Sequence, residues 1–173
     1  FNFMKFFEND KVIVNPLRLK HWIVNELESW LVLYYTGTSR DSARIIDEQT
    51  ENTKRNNKKA IESMHKIKAD AEVMKKALLQ GDMKMFAEYL GRSWESKKRT
   101  ADLISNKNIE SIYDQAIAAG GISGKISGAG GGGFMFFMVD PVKKYDLMKA
   151  LEECGGRIVN FQFVQDGMKG WFV

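Results

Sequence analysis

One stretch of the sequence has almost no side chains, and it constrains the fold more than any other feature. It consists of Ser127, Gly128, Ala129, Gly130, Gly131, Gly132 and Gly133. Glycine tolerates positive φ angles and lets backbone N–H groups approach an anion closely, as in the nests that bind phosphate. The apolar run from Phe134 to Val139 that follows predicts a buried strand, which would hold one end of the loop in place. On composition alone, a flexible or bulged hairpin loop is an equal alternative.

The first part of the chain combines strand-like and helix-like patterns. Aromatic and β-branched residues on both sides of residues 8–11 predict a hairpin over residues 1–14. Apolar residues at helical spacing predict a helix from His21 to Trp30, and the apolar residues 31–35 predict a short, buried, central strand. Helical periodicity then extends from Ser39 to about Lys98. Gly81 followed by Asp82 should end one helix and cap the next, so we expect two antiparallel helices there.

The last third of the sequence returns to strands. It predicts a helix over residues 109–119, strands around residues 125–127 and 134–139, a helix over residues 141–154, and a strand pair over residues 157–164 and 169–173. This order of elements predicts an α+β fold. The expected core is ferredoxin-like, with a split βαβ arrangement and extra helices packed on a mainly antiparallel sheet.

Composition narrows the classes of function. The formal net charge of +4 would suit phosphorylated ligands, but lysine and glutamate alternate along the predicted helices, so we expect no nucleic-acid partner. Cys154 is the single cysteine, which excludes an intrachain disulfide, argues against a zinc site and fits a reducing, cytoplasmic location. No apolar run approaches the roughly 20 residues that cross a bilayer, so we expect no membrane partner. No metal-binding residue is predicted.

A second group of candidate residues lies where the predicted central strand meets the next helix. It comprises Thr36, Gly37, Ser39 and Arg40. Helix N-termini offer free N–H donors, and Arg40 could grip a phosphate with two N–H groups. On the residues alone, an ordinary helix cap with a solvent-exposed Arg40 is favoured.

A third candidate is Lys97, which lies in the basic segment 94–99 near the end of a predicted helix. It could contact a phosphate. On the residues alone, a solvated helix end is the favoured interpretation.

The segment from Lys125 to Phe134 resembles the third signature of the GHMP kinases, in which a lysine, an apolar residue and a serine precede Gly-Ala-Gly-Gly-Gly. In that family this loop faces the phosphate-binding loop of an N-terminal domain. The resemblance implies that the loop helps to shape the site for ATP and the acceptor phosphate here. The residues that it assigns to this role are Lys125, Ser127, Gly128, Ala129, Gly130, Gly131 and Gly132.

The turn at residues 35–42 is similar to the Tyr-Thr-Gly-x-Ser-Arg-x-Ser turn of the branch that contains the heptose 7-phosphate kinases. This similarity implies that Thr36, Gly37, Ser39 and Arg40 bind the sugar or its phosphate. A similar Trp-x-x-Lys segment of that branch implies the same kind of contact for Lys97.

The resemblance also implies a larger protein, an ATP- and Mg²⁺-dependent sugar kinase with a sugar phosphate as acceptor. Residues 1–30 would be the end of its N-terminal domain, and residues 31–173 its C-terminal domain. The family's N-terminal phosphate-binding loop and its catalytic carboxylate have no counterpart in this sequence. We therefore expect the chain to be inactive alone, to pair with a missing N-terminal kinase domain, and to self-associate if the surface for that domain is exposed. A non-catalytic ferredoxin-like module that binds a small molecule or a protein is the alternative.

Overall fold

The computed structural model describes residues 1–38, 42–164, 167 and 170–171. The chain opens with an antiparallel hairpin of β1 (Asn2–Phe6) and β2 (Val12–Pro16), as the sequence predicts. Helix α1 (His21–Trp30) and strand β3 (Leu31–Tyr35) follow, also as predicted. The remaining helices and strands are α2 (Ser42–Lys54), α3 (Lys58–Gln80), α4 (Met83–Lys98), α5 (Lys107–Ala118), β4 (Gly121–Ile126), β5 (Phe134–Val139), α6 (Lys144–Glu152) and β6 (Arg157–Val159).

Four strands form the main sheet in the order β4-β5-β3-β6, and every neighbouring pair is antiparallel. Strand β3 comes first along the chain but lies inside the sheet, with β5 on one side and β6 on the other. Strands β3 and β4 therefore point the same way and are separated by β5. This is the split βαβ arrangement, so the predicted α+β, ferredoxin-like core is confirmed.

The two faces of the sheet belong to two apolar clusters. Alternate residues of β3 and β5, such as Tyr34 and Phe137, are fully buried in a cluster that includes residues of α5 and α6. On the other face, Leu31 and Met138 pack in a second cluster with residues of α1 and α4. The period of two along each strand produces this division. Helix α4 contributes to both clusters and also runs against β4.

Helices α3 and α4 form the predicted antiparallel pair, and the predicted caps join them. Gly81 has a φ of 74° and ends α3 in the left-handed conformation. The Asp82 side chain accepts a hydrogen bond of 2.9 Å from the N–H of Met85 at the start of α4. The ring of Trp22 fills the space that a Cβ at residue 81 would need, which ties α1 to this turn.

The C-terminal part differs from the prediction. The strand expected over residues 157–164 pairs only over Arg157–Val159, after which the chain leaves the sheet. The N–H of Phe163 donates to the Glu28 carboxylate at 2.6 Å, and Phe161 packs on the apolar cluster of α1. Burial of these aromatic rings favours leaving the sheet over further pairing. The returning strand expected over residues 169–173 lies partly outside the described residues, and Gly170 and Trp171 form no strand.

The β1–β2 hairpin is the most exposed part of the fold. Its residues are exposed except for the half-buried Phe3, and Phe6 is 72% exposed. Helix α1, by contrast, shares a core with α4, so the division of the chain between residues 30 and 31 stays a prediction. Within the described residues, no helix combines the length and the apolar character that a bilayer crossing requires.

Candidate functional site

Residues 127–133, called the glycine loop below, join β4 to β5 in a conformation that requires glycine. Its five glycines all have positive φ, from 77° at Gly131 to 153° at Gly132. A Cβ at Gly130 would lie 2.8 Å from the Ile104 carbonyl oxygen. A Cβ at Gly132 would lie 2.8 Å from the Thr38 carbonyl oxygen. The glycines therefore let the loop pack directly against the backbone of two other segments.

Hydrogen bonds fix both ends of the loop. The N–H of Ser127 donates to the Phe134 carbonyl at 2.8 Å, and the N–H of Gly133 donates to the Thr38 carbonyl at 2.6 Å. The Gly133 carbonyl accepts from both the N–H and the hydroxyl of Thr36, each at 2.9 Å. The loop is therefore anchored and is not a flexible linker.

The middle of the loop is held by the segment that precedes α5. The N–H of Gly131 donates to the Ile104 carbonyl at 2.8 Å. The Gly131 carbonyl accepts from Nδ2 of Asn106 at 3.3 Å. Both polar backbone groups of one residue are thus paired with a neighbouring segment.

Four other amides of the loop have no hydrogen-bond partner among the residues that the structure describes. They belong to Gly128, Ala129, Gly130 and Gly132. Gly130 and Gly132 are buried residues. Buried amides are nearly always hydrogen-bonded, so these donors are suited to an oxyanion. The loop is thus fixed through the amides of Ser127, Gly131 and Gly133, and its four other amides remain available to an anion.

Two lysines lie beside the loop. Lys97, at the end of α4, donates a hydrogen bond to the Gly128 carbonyl. Burial, and then repulsion from Lys125, lower the pKa of Lys97 to about 8. Burial also lowers the pKa of Lys125, which precedes the loop on β4. An anion bound between these ammonium groups would relieve their repulsion and replace part of their lost hydration.

Close packing of α4 on β4 brings Lys97 to the loop. A Cβ at Gly91 would lie 3.0 Å from the Cβ of Ser123, so the helix approaches the strand closely at this position. The Ser123 hydroxyl donates to the Ala87 carbonyl at 2.6 Å and locks the contact. One turn further along, Trp94 is fully buried and fixes the last part of the helix. The end of α4 therefore reaches the end of β4, where the glycine loop begins.

The turn after β3 lies on the other side of the loop. Thr36 is 6% exposed, and its hydroxyl bonds Gly133, so the structure gives this residue a role in anchoring the loop. Gly37 is exposed, with a φ of 77°. Ser39 and Arg40 lie outside the described residues. A contact between this turn and a sugar stays a prediction.

Comparison with known proteins identifies the domain. Residues 74–156 match the family model of the GHMP kinases C terminal. Over 171 residues the chain is 50% identical to a D-glycero-alpha-D-manno-heptose 7-phosphate kinase of Campylobacter jejuni, and this match covers 99% of the chain. Residues 74–156 form a GHMP kinase C-terminal domain. The resemblance seen in residues 125–134 is thereby confirmed.

Solved structures agree with this identification. A structure of a D-glycero-D-manno-heptose 1-phosphate kinase from Bacteroides thetaiotaomicron superimposes with a TM-score of 0.70 and 41% identity, covering 99% of this chain and 45% of that one. Leishmania major mevalonate kinase shares the fold, with a TM-score of 0.73 at 16% identity, covering 88% of this chain and 44% of that one. The chain spans 50% of the length of the curated Campylobacter relative.

The glycine loop is held in place by residues that the sequence alone did not single out. Thr38, Ile104 and Asn106 hold the loop but lie far from it along the chain. Asn106 carries a local signal that was available, because asparagine is a preferred N-cap and α5 starts at Lys107. Ile104 bonds the loop through its backbone carbonyl, so its side chain carries no signal of this hydrogen bond.

The side chains around the loop suit a phosphate group. Lys97 and Lys125 are cations; Lys97 bonds the loop at Gly128, and Lys125 precedes the loop on β4. Among the described residues, no group of three or more His, Cys, Asp or Glu side chains could hold a metal ion. The loop and its two lysines could therefore hold a phosphate group.

Proposed function

We propose that this chain is the C-terminal part of a kinase that transfers the γ-phosphoryl group of ATP to a hydroxyl of a heptose 7-phosphate. The observation that carries the proposal is the anchored glycine loop, in which the amides of Gly128, Ala129, Gly130 and Gly132 have no partner among the described residues. The identity of 50% to a heptose 7-phosphate kinase supports the acceptor class.

Under this proposal the chain's own residues bind and orient phosphate oxygens. Phosphoryl transfer depends mainly on positioning and on neutralising the charge of the transferring group, which fixed amides and two lysines supply. ATP, when bound, would supply the phosphoryl group, and Mg²⁺, as in GHMP kinases generally, would neutralise part of its charge. No base for the acceptor hydroxyl is assigned to this chain, so we expect the chain alone to be inactive.

The remaining parts of the proposal concern the whole protein. We assign residues 1–30 to the end of its N-terminal domain and residues 31–173 to its C-terminal domain. We place the sugar phosphate acceptor near Lys97 and near the segment that contains Gly37 and Arg40. We also place the protein in the cytoplasm, where Cys154 would stay reduced. A missing N-terminal kinase domain would provide the other wall of the site.

The test uses the intact protein with ATP, Mg²⁺ and a panel of acceptors. Heptose 1-phosphate and fucose are informative competitors, because one structural relative is named a heptose 1-phosphate kinase and one curated relative is named an L-fucokinase/L-fucose-1-P guanylyltransferase. Galactose is the third competitor. We expect the kcat/KM for heptose 7-phosphate to exceed that for each competitor by at least about tenfold. Absence of ATP consumption with every sugar would reject the kinase function and favour a non-catalytic binding module.

The lowered pKa of Lys97 predicts a pH dependence of acceptor binding. A bound phosphate favours the protonated lysine, so binding should be strongest below pH 8 and weaken as the pH rises through about 8. We expect the Kd for heptose 7-phosphate to rise about tenfold between pH 7 and pH 9. A phosphate ester has its second pKa near 6, so the ligand keeps its charge over this range.

The control is Lys97→Arg, because arginine stays protonated over the whole range. Calorimetric titration of both proteins at pH 7, 8 and 9 should show the loss of affinity in the wild type only. An equal loss in the arginine variant would assign the pH dependence to another group.

A further inference from the structure

Ile104 and Asn106, just before α5, form hydrogen bonds with both backbone polar groups of Gly131, and these two residues are called the clamp below. The Gly131 N–H donates to the Ile104 carbonyl at 2.8 Å, and its carbonyl accepts from Nδ2 of Asn106 at 3.3 Å. Gly131 lies between Gly130 and Gly132, whose amides have no partner among the described residues. The Gly131 carbonyl and the Gly132 N–H belong to the same planar peptide group, so fixing this carbonyl fixes the direction of the Gly132 donor.

The orientation of the Asn106 side-chain amide follows from the hydrogen bonds that its oxygen accepts. Its Oδ1 accepts from the N–H groups of Asn108 at 3.0 Å and Ile109 at 3.1 Å, which caps the start of α5. Only an oxygen can accept from these two donors, so the side-chain nitrogen must face the Gly131 carbonyl. One side chain thus joins a helix start to the loop.

The clamp is itself held by α2. The Glu48 carboxylate accepts from the N–H groups of Asp102 at 2.7 Å and Leu103 at 3.1 Å. On the same helix, Gln49 donates to the Thr100 hydroxyl at 2.7 Å. The segment that meets the glycine loop is therefore rigid without help from a ligand.

We infer that Asn106 is a positioning residue of the phosphoryl-transfer site. This inference rests on the proposed function. Asn106 does not touch the substrate in this assignment; it holds the Gly131 carbonyl so that the Gly132 amide points at the phosphate before the ligand binds. Such preorganisation acts on the transition state more than on ground-state binding, so its loss should lower kcat more than it raises KM.

The structure provides a way to remove the contact to Gly131 and keep the cap. Serine is as good an N-cap as asparagine, so Asn106→Ser should leave α5 capped. The serine side chain is too short to reach the Gly131 carbonyl, which Nδ2 of Asn106 contacts at 3.3 Å, so the variant should release Gly131. Asn106→Asp keeps the shape and the cap and also lacks the donor. Asn57→Ser is the matched control, since Asn57 caps α3 through Ala60 and the structure shows its side chain bonded only there.

In the intact enzyme we expect kcat of Asn106→Ser and Asn106→Asp to fall about 10- to 100-fold, with KM for ATP changed less than about threefold. Asn57→Ser should keep the wild-type kcat. Hydrogen exchange of the peptide that covers residues 128–134 should quicken in both Asn106 variants and not in Asn57→Ser. The thermal midpoint of Asn106→Ser should match that of Asn57→Ser.

The outcomes separate the two proposals. A wild-type protein that phosphorylates no sugar would end the proposed function, and faster loop exchange in the Asn106 variants would still support the clamp. Unchanged kcat together with unchanged loop exchange would overturn the positioning role. A loss of kcat that only follows a fall in thermal midpoint, equal in Asn57→Ser, would overturn it as well, since capping alone would then explain the effect.

Discussion

Replacing Gly130 by valine should lower kcat of the intact kinase about 100-fold or more, without unfolding the domain. A Cβ at this position would lie 2.8 Å from the Ile104 carbonyl oxygen and 2.9 Å from the Ile104 Cα, and both are backbone atoms that cannot swing aside. The φ of 137° is also unsuitable for a β-branched residue. The loop must therefore move away from Ile104, and its unpaired amides move with it.

The matched control is Gly133→Ala in the same loop. Gly133 also has a positive φ, 87°, but a Cβ there would meet nothing within 4 Å. Backbone strain alone costs about 1 kcal/mol, so this variant should keep kcat within a few-fold of the wild type. Steady-state rates with ATP and heptose 7-phosphate measure the difference. Near-normal turnover of Gly130→Val would show that the loop is only a connection between β4 and β5.

The second large effect concerns stability. Replacing Trp94 by alanine should lower the free energy of unfolding by about 3–5 kcal/mol. Trp94 is fully buried in the cluster that includes Ile104 and Phe137, so its loss would leave a cavity under the end of α4. Its Nε1 is also the buried side-chain polar atom that lacks a hydrogen-bond partner in the described part of the chain.

Trp94→Phe separates packing from the unpaired N–H. Phenylalanine removes a donor whose burial without a partner costs about 1–3 kcal/mol, which offsets much of the volume that is lost. We expect its free energy of unfolding to lie within about 1.5 kcal/mol of the wild type. Urea unfolding followed by far-UV circular dichroism tests both variants. Equal destabilisation by phenylalanine and alanine would mean that Nε1 has a partner such as bound water.

The elements with local signals could be predicted from the sequence. The turn at Gly81 and Asp82, the helix from His21 to Trp30 and the apolar strand at residues 134–139 each depend on neighbours along the chain, and each is found as expected. The order of these elements was enough for the split βαβ core, because few ways of pairing the strands satisfy it.

Contacts between distant segments could not be predicted. Nothing near Thr36 indicates that its hydroxyl bonds Gly133, and the sequence instead suggested a sugar contact for this residue. The strand that begins at Arg157 ends early because Phe161 and Phe163 pack against the apolar cluster that includes residues of α1. On the residues alone, Lys97 looked like a solvated helix end. The packing of α4 on β4 brings it to the loop, and this packing depends on Gly91 and Ser123, which lie far apart along the chain.

The anchors of the glycine loop have a consequence for synthesis in the cell. Thr36, Thr38, Ile104 and Asn106 leave the ribosome before the loop that they hold. Strand β3 must also wait for both β5 and β6, so the sheet closes only after residues 157–159 have been synthesised. A nascent chain without β5 and β6 therefore has no finished glycine loop, and the loop becomes available to a ligand only after the sheet has closed.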